Sequence, residues 1–224
     1  MFIVNDISYA YRKAKVLNHV SMEIHGGDCV ALVGVNGCGK TTLLSICAGA
    51  RKAKSGEVKV FGKSLPRGTK ERLQLIGYVP QENPLIPDLT VRQNLKLWYA
   101  GNSKEFQKEL ESGFLSALDL SSFLDKRCDA LSGGMKKRVS IGLALQNHPA
   151  ILILDEPGAA LDLICKEDIR HFLELYLKAG GTILITTHEE DELALCNRMY
   201  TLRKGIIEEV DPKIRGEELL GKIR

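Results

Sequence analysis

The sequence predicts an α/β fold, in which helices cover both faces of a mainly parallel β-sheet. Short β-branched stretches alternate with helical patterns, which is typical of strand-helix units. The clearest strands are FIVND, DCVALVG, AILILDE and GTILITTH, and the last three are almost wholly apolar, as in central strands buried on both sides. With 224 residues, 44% of them apolar, the chain can bury one sizeable core. We therefore expect a single domain over 1–224, with its functional site at the carboxyl edge of the sheet.

A helical insertion is predicted between Pro80 and Pro149, where the sequence pattern changes. The segments TVRQNLKLWYA, KEFQKELESGFLSALDL and GGMKKRVSIGLALQNH have helical spacing and are separated by turn residues. We predict that 83–149 form this helical subdomain and that 1–82 and 150–224 form the core around it.

The carboxyl-terminal segment is predicted to form two strands and a helix. RMYTLRKGIIEEV has the pattern of two short strands around Lys204 and Gly205. A charged terminal helix is expected after them, and the chain shows neither internal repeats nor low-complexity stretches.

The charge balance does not favour a nucleic-acid partner. Lys and Arg number 31 against 28 Asp and Glu, a formal net charge of +3, and the basic residues are scattered rather than gathered in one block. The six cysteines lie far apart without a CxxC pair, so neither a zinc site nor a disulfide framework is indicated. We expect reduced thiols in a cytosolic protein.

No stretch of the chain is predicted to cross a membrane. The amino terminus MFIVNDISYA lacks the basic segment and long apolar core of a signal peptide. No run approaches the roughly 20 apolar residues of a membrane span. Any membrane role is therefore expected to come through a partner.

A phosphate-binding loop is predicted directly after the strand CVALV. Gly34, Gly39, Lys40 and Thr41 fit the pattern G-x-x-x-x-G-K-[ST], and the apolar-periodic LLSICAG follows as a helix. The glycines let backbone N–H groups face a phosphate at a positive helix end. Lys40 is expected to reach the β- and γ-phosphates, and the Thr41 hydroxyl to bind magnesium. The nucleotide-binding residues predicted in this loop are Gly34, Asn36, Gly37, Cys38, Gly39, Lys40, Thr41 and Thr42.

Three polar side chains follow two further buried strands. ILILDEP places Asp155 and Glu156 at a strand end, where Asp155 would organise the magnesium ion and Glu156 would act as general base toward water. His188 ends ILITTH at the same edge, where an imidazole can contact a γ-phosphate and position the water. Such carboxylates are often solvated surface and such a histidine is often structural, but their shared edge favours catalysis.

A second anion site is indicated by ALSGGMKKRVS in the helical insertion. Ser132 can cap the helix that begins at Gly133, and with Gly134 it leaves backbone N–H groups free at a positive helix end. Taken alone, this is a capped helix start. One chain cannot obviously use both anion sites on one nucleotide, but a second copy could bring the second site across.

In their order along the chain, these motifs resemble those of the ATP-binding subunits of ABC transporters. GVNGCGKT resembles the first nucleotide motif of that family, Gln81 in YVPQE its Q-loop, and LSGGM its signature. ILILDEP resembles its second nucleotide motif, ALD its D-loop, and His188 its switch histidine. The resemblance covers nearly the whole chain. It implies a P-loop NTPase fold with a RecA-like parallel core, antiparallel β elements and an inserted α-helical subdomain.

The resemblance also implies an ATPase that binds ATP and Mg²⁺ and works as a head-to-tail dimer. Ser132, Gly133 and Gly134 of one subunit would close over the ATP held by Lys40 of the other, and Asp162 would contact the opposing subunit. Further roles that it implies are adenine stacking for Tyr11, with Tyr9 as the rival, and, for Gln81, magnesium binding and sensing of the membrane partner.

The partners implied by the resemblance are separate transmembrane permease subunits and a second ATPase subunit, in a homodimer or a heterodimer. The expected location is cytoplasmic and peripheral, on the inner face of the cell membrane. With its compact insertion, the chain resembles subunits of small exporters more than it resembles importers with long regulatory extensions. Trp98 and Tyr99 are candidates for contact with a membrane partner, and packing is the other interpretation of this pair.

The sequence departs from the family pattern at three places. Met135 stands where glutamine is usual, which removes side-chain hydrogen bonds and is expected to weaken contacts without abolishing function. GAALD lacks the usual serine or threonine before LD, which puts its cross-dimer polar contacts in doubt. Cys38 is either a small space-filling residue or a thiol that oxidation or alkylation could block.

Two other functions are weighed against transport. A soluble ABC-type ATPase that acts on ribosomes or DNA usually has two nucleotide domains in one chain or a long extension, and this sequence shows neither. A guanine-nucleotide switch would need an NKxD-like base reader, which is absent, and would leave LSGGM unexplained.

Overall fold

The computed structural model describes residues 1–12, 14–66, 68–99 and 101–224, with the backbone alone at Lys70 and Leu73. The strands are β1 (Phe2–Tyr11), β2 (Ala14–Ile24), β3 (Cys29–Val33), β4 (Ser55–Val60), β5 (Lys63–Ser64), β6 (Ile76–Val79), β7 (Ile151–Asp155), β8 (Thr182–Thr186), β9 (Arg198–Arg203) and β10 (Ile206–Val210). The helices are α1 (Lys40–Cys47), α2 (Lys70–Leu75), α3 (Val91–Trp98), α4 (Ser103–Ser112), α5 (Phe114–Ala117), α6 (Gly133–Leu145), α7 (Leu163–Lys178), α8 (Glu190–Ala194) and α9 (Gly216–Ile223), with 3₁₀ turns at Leu120–Phe123 and Cys128–Ala130.

The larger sheet has the strand order β10-β9-β3-β8-β7-β6. Strands β9, β3, β8, β7 and β6 are parallel, and β10 pairs antiparallel with β9 at the edge. The α/β prediction is therefore confirmed. So are the two strands around Lys204 and Gly205, which are β9 and β10, and the terminal helix α9.

The central strands are buried on both faces because side chains alternate along a strand. In β3, Val30 and Leu32 face one hydrophobic core, and Ala31 and Val33 face the other. The first core lies against α1 and the smaller sheet, and the second lies against α6, α7 and the insertion helices. The phosphate loop and the carboxylate strand thus rest on a rigid layer between two cores.

The smaller sheet is antiparallel, in the order β2-β1-β4-β5. The predicted strand FIVND belongs to this sheet and continues to Tyr11, because Phe2, Val4 and Ile7 bury their side chains in the core shared with α1. Strands β2, β4, β5 and β6 were not among the strands singled out from the sequence.

The insertion helices occur where helical spacing predicts them, with one break. Thr90 caps α3 through a capping box with Gln93, and α6 begins directly after Ser132. The predicted segment KEFQKELESGFLSALDL does not form one helix, because Gly113 adopts an extended conformation that separates α4 from α5. The boundaries of the subdomain at 83–149 stay a prediction. None of the described helices combines the length and the apolar content needed to cross a bilayer.

The carboxyl end of the phosphate-loop helix α1 is held by a buried arginine. Arg72, 5% exposed, donates to the carbonyl oxygens of Ile46 and Cys47 at 2.5 and 2.6 Å, and to that of Leu65 at 2.6 Å. A cation at this end complements the negative pole of the helix. Gly49 makes room for the guanidinium, since a Cβ there would lie 2.7 Å from Arg72 Nε. Burial lowers the pKa of Arg72.

We expect Arg72→Met to lower the free energy of unfolding by about 3 kcal/mol, because three buried carbonyl groups lose a charged donor. Urea denaturation followed by circular dichroism measures the change. Arg203→Met is the matched control, since Arg203 is exposed on β9. Equal losses in the two variants would show that Arg72 does not anchor α1.

Candidate active site

The loop between β3 and α1 is shaped by its glycines. Gly37 and Gly39 have φ angles of 78° and 115°, in the region that side chains disfavour. A Cβ on Gly39 would also lie 2.7 Å from Val16 Cγ1, so no larger residue fits beneath β2. The loop therefore runs directly into the first turn of α1, where free backbone N–H groups can form an anion site.

Lys40 lies at the centre of the candidate site. It is 5% exposed, and its Nζ donates to the carbonyl oxygen of Gly34 at 2.8 Å. The same ammonium lies 3.5 Å from His188 Nε2 and 3.9 Å from Glu156 Oε1. Residues predicted from three separate motifs therefore meet around one charge.

Asp155 has the environment expected of a group that binds a metal ion or its water. The side chain is 1% exposed, and Oδ1 accepts a hydrogen bond from Thr186 Oγ1 at 2.6 Å. Oδ2 is buried, and no group in the described part of the chain bonds to it. Among the described residues, no group of three or more His, Cys, Asp or Glu side chains is placed so that it could hold a metal ion by itself. These donors fit Mg²⁺, which takes one or two protein oxygens together with water and phosphate.

Glu156 is held by its backbone at the end of β7. Its φ of 48° lies in the left-handed region, and its N–H donates to both the carbonyl oxygen and Oγ1 of Thr186 at 3.0 Å. Its Oε2 accepts from Gln81 Nε2 at 3.1 Å, and its Oε1 lies 3.9 Å from His188 Nε2. The carboxylate therefore points toward the loop, the glutamine and the histidine.

Tyr11 lies at the edge of an open cleft of about 510 Å³. Its hydroxyl is 3.3 Å from Thr42 Oγ1, and its ring packs edge-on against Tyr9 with centroids 5.0 Å apart. Tyr9 in turn accepts a hydrogen bond from Arg51. The described residues that line the cleft include Tyr11 and not Tyr9, which supports Tyr11 as the candidate adenine contact. The lining residues are Tyr11, Val16, Asn36, Gly37, Gly39, Lys40, Thr41, Thr42, Gln81 and Glu156.

The second predicted anion site does not join this cleft in the part of the chain that is described. Ser132 Oγ accepts from the Met135 N–H at 3.3 Å, so the predicted cap of α6 is present. A Cβ on Gly134 would overlap Cys165 Sγ, so only glycine lets α6 approach α7 this closely. Asp162 caps α7 by accepting from the Cys165 N–H at 2.8 Å. Each of these residues has a role within the chain, and their contacts across a dimer stay predictions.

The departures from the family pattern have distinct environments. Cys38 is half-buried in the phosphate loop, and burial raises the pKa of its thiol. Because a thiolate is thereby disfavoured, the structure supports the space-filling interpretation of Cys38 over the reactive one. Met135 is partly buried against the core. At Gly158 in the GAALD segment, a Cβ would lie 2.7 Å from Glu192 Oε1.

Two contributors to the site were missed in the sequence. Thr186 binds both Asp155 and the backbone of Glu156, and the parallel register of β7 and β8, which sets Asp155 opposite Thr186, could have revealed it. Lys137 contacts the backbone at Gln81, and nothing in its helical pattern distinguishes it from the adjacent Lys136.

Comparison with known proteins gives one consistent result. The family model described as ABC transporter matches residues 17–159. The Nod factor export ATP-binding protein I of Burkholderia orbicola is 36% identical over 203 residues, covering 89% of this chain and 67% of the relative. The sn-glycerol-3-phosphate import ATP-binding protein of Paracoccus denitrificans is 35% identical over 214 residues, covering 93% and 60%. The chain thus spans about two thirds of the length of these curated relatives.

Solved structures agree with this result. A dimeric ATP-binding cassette in a post-hydrolysis state, bound to ADP and Pi, superimposes with a TM-score of 0.83 at 29% identity, covering 96% of this chain and 100% of that one. A nucleotide-free cassette of an ABC transporter gives 0.83 at 27% identity, covering 100% and 94%. The fold predicted from the motifs is thereby confirmed.

One buried carboxyl near the site should make stability depend on pH. Glu192 on α8 is 4% exposed, neither of its carboxyl oxygens is hydrogen-bonded to a described residue, and burial raises its pKa to about 7 from an ordinary 4.5. Between pH 4.5 and 7 the folded protein keeps this proton while the unfolded chain releases it. The contribution of Glu192 to the free energy of unfolding is therefore fully present below pH 4.5 and is lost as the pH rises to 7.

We expect the free energy of unfolding of Glu192→Gln, measured relative to wild type, to be about 2 kcal/mol higher at pH 8 than at pH 5. The reason is that the amide needs no proton to stay neutral. Urea denaturation at the two pH values measures this difference. Glu190→Gln, on an exposed position of the same helix, is the control and should leave the difference near zero. A pH-independent effect of Glu192→Gln would contradict the assignment.

Proposed function

Since the chain belongs to the ABC transporter family, we propose that it is the ATP-binding and ATP-hydrolysing subunit of a transporter that works with separate membrane subunits. The contact of Lys40 with Glu156 and His188 at one sheet edge carries this proposal. Gln81 joins the same group through its hydrogen bond to Glu156. We propose export as the direction. Seven relatives at 34–37% identity are named as Nod factor export proteins, although an import relative matches at 35% identity.

We propose a step in hydrolysis for each group of the candidate site. The phosphate loop and Lys40 bind the β- and γ-phosphates, and Tyr11 stacks on the adenine. Thr41, Asp155 and Gln81 would hold Mg²⁺, which would neutralise phosphate charge. Glu156 accepts a proton from the attacking water, and His188, beside Lys40, contacts the γ-phosphate.

The active form is proposed to be a head-to-tail dimer, with either a second copy or a related ATPase subunit. Ser132, Gly133 and Gly134 at the start of α6 would then meet the nucleotide bound by the other subunit, and Asp162 would lie in the interface. The apolar residues that follow Asp162 support this, since Leu163 and Ile164 are 83% and 76% exposed.

We also propose that the insertion contacts the membrane subunits and that the protein lies on the cytoplasmic face of the membrane. Leu97 and Trp98, at the end of α3, are 55% and 67% exposed, and Ile86 before the helix is 44% exposed. Tyr99 instead packs against Phe106, with ring centroids 5.2 Å apart. The two aromatic residues therefore differ, and Trp98 is the candidate contact.

Replacing Glu156 by Gln should slow ATP turnover by about 10² to 10⁴ while ATP binding persists, because the amide cannot accept a proton from water. Phosphate release measures turnover, and binding of a fluorescent ATP analogue measures affinity. Gln107→Glu, on the exposed surface of α4, is the control and should leave both unchanged. Wild-type turnover in the Glu156→Gln protein would remove Glu156 from the base role.

The dimer can be tested in the Glu156→Gln background by size-exclusion chromatography with light scattering. Adding Mg-ATP should shift the protein from monomer to dimer, because bound nucleotide supplies the anion for Ser132 and Gly134. Adding Leu163→Ser and Ile164→Ser should weaken this dimer, whereas Leu97→Ser should not. A monomer at saturating Mg-ATP would contradict the composite site.

A further inference from the structure

A buried lysine in α6 contacts the loop that carries Gln81. Lys137 is 3% exposed, and its Nζ donates to the carbonyl oxygen of Pro80 at 3.2 Å and to that of Gln81 at 3.0 Å. These two carbonyl groups belong to consecutive residues directly after β6. One ammonium group therefore fixes both peptide planes of the loop at its start.

The ammonium group of Lys137 is buried, and no carboxylate of a described residue lies beside it. The described contacts of the Lys137 ammonium group are these two carbonyl oxygens, and Asp155 and Glu192 attract it from further away. A buried ammonium group costs free energy unless hydrogen bonds compensate for it. The compensating hydrogen bonds come from the Gln81 loop. If this loop moved away, the buried ammonium group would lose its hydrogen-bond partners.

The loop that Lys137 holds continues directly to the general base. The Gln81 side chain donates through Nε2 to Glu156 Oε2 at 3.1 Å. Lys137 also stands one turn along the helix that begins after Ser132 and contains Gly134. A continuous set of contacts therefore runs from the second anion site, through Lys137 and the Gln81 backbone, to Glu156.

We propose that Lys137 is a positioning residue that fixes the Gln81 backbone to α6, so that the Gln81 amide reaches Glu156 and a displacement of α6 is transmitted to the base. This rests on the proposed ATPase function for its consequence, but the link itself is a property of the free protein. Lys137 does not touch the reacting atoms. It acts through Gln81 alone.

The test compares Lys137→Met with Lys136→Met. Methionine keeps the length of the stem and removes the ammonium group, and Lys136 is a neighbouring, partly exposed lysine outside the site. We expect Lys137→Met to lower kcat about 10- to 100-fold, with the KM for ATP within about 2-fold of wild type, because groups that orient a reacting residue affect rate by this amount. Lys136→Met should keep the wild-type kcat.

Hydrogen exchange in the absence of nucleotide provides a readout that does not depend on hydrolysis. In Lys137→Met the amides of β6 that bond to β7 should exchange about 10-fold faster, because β6 ends directly before Pro80, while those of β3 and β8 stay protected. Lys137→Arg, which keeps two donors, should restore both the exchange rate and kcat to within about 3-fold of wild type. Should Lys137→Met fail to fold, the same measurements on Lys137→Gln, which is too short to span both carbonyl groups, decide the matter.

Two results would overturn the proposal. The first is wild-type exchange in β6 together with wild-type kcat in Lys137→Met. The second is a uniform rise of exchange over the whole chain, which would indicate a role in stability alone. Should the wild-type protein itself fail to hydrolyse ATP, the proposed function fails, and exchange in β6 still decides whether the link exists.

Discussion

The parallel pairing of β7 with β8 sets the position of the candidate catalytic groups. It places Thr186 opposite Asp155, and the Thr186 hydroxyl both donates to Asp155 and accepts from the backbone of Glu156. The two carboxylates are thereby turned in different directions from adjacent positions, one into the protein and one toward the cleft. His188 comes two residues after Thr186, which ends β8, so the same strand pairing also positions this third candidate group. A slip of one residue would reverse every one of these orientations.

Buried cations hold the backbone at this edge and at the far end of the phosphate-loop helix α1. Lys40, Arg72 and Lys137 are each 5% exposed or less, and the closest partner of each is a carbonyl oxygen rather than a carboxylate. This choice of partner has a chemical advantage. A carboxylate used to neutralise a structural cation would not be available for metal binding or proton transfer, and here Asp155 keeps one oxygen unbonded within the described chain.

The sequence predicted the phosphate loop, the two carboxylates and the cap at Ser132 because each depends on local chemistry that follows from neighbouring residues. It did not predict the break at Gly113, since a single glycine within a helical pattern does not show whether the chain will turn there. Nor did it predict Lys137, whose role depends on a loop 56 residues away that comes close only after the sheet has formed. Thr186 lies between these cases, because strand register makes it predictable once the order of the strands is known.

The close approach of α6 to α7 has a consequence for variation among related chains. Since Gly134 has no side chain, Cys165 fills the space beside it, and the two positions share one small volume. Because glycine cannot become smaller, a side chain larger than cysteine at position 165 would force α6 and α7 apart, so related chains should keep glycine at 134 and a small residue at 165. The helix start at Gly134 and the capped turn at Asp162 also cannot be displaced separately. A protein engineer who wished to alter how two such subunits meet would have to redesign both segments as a single unit.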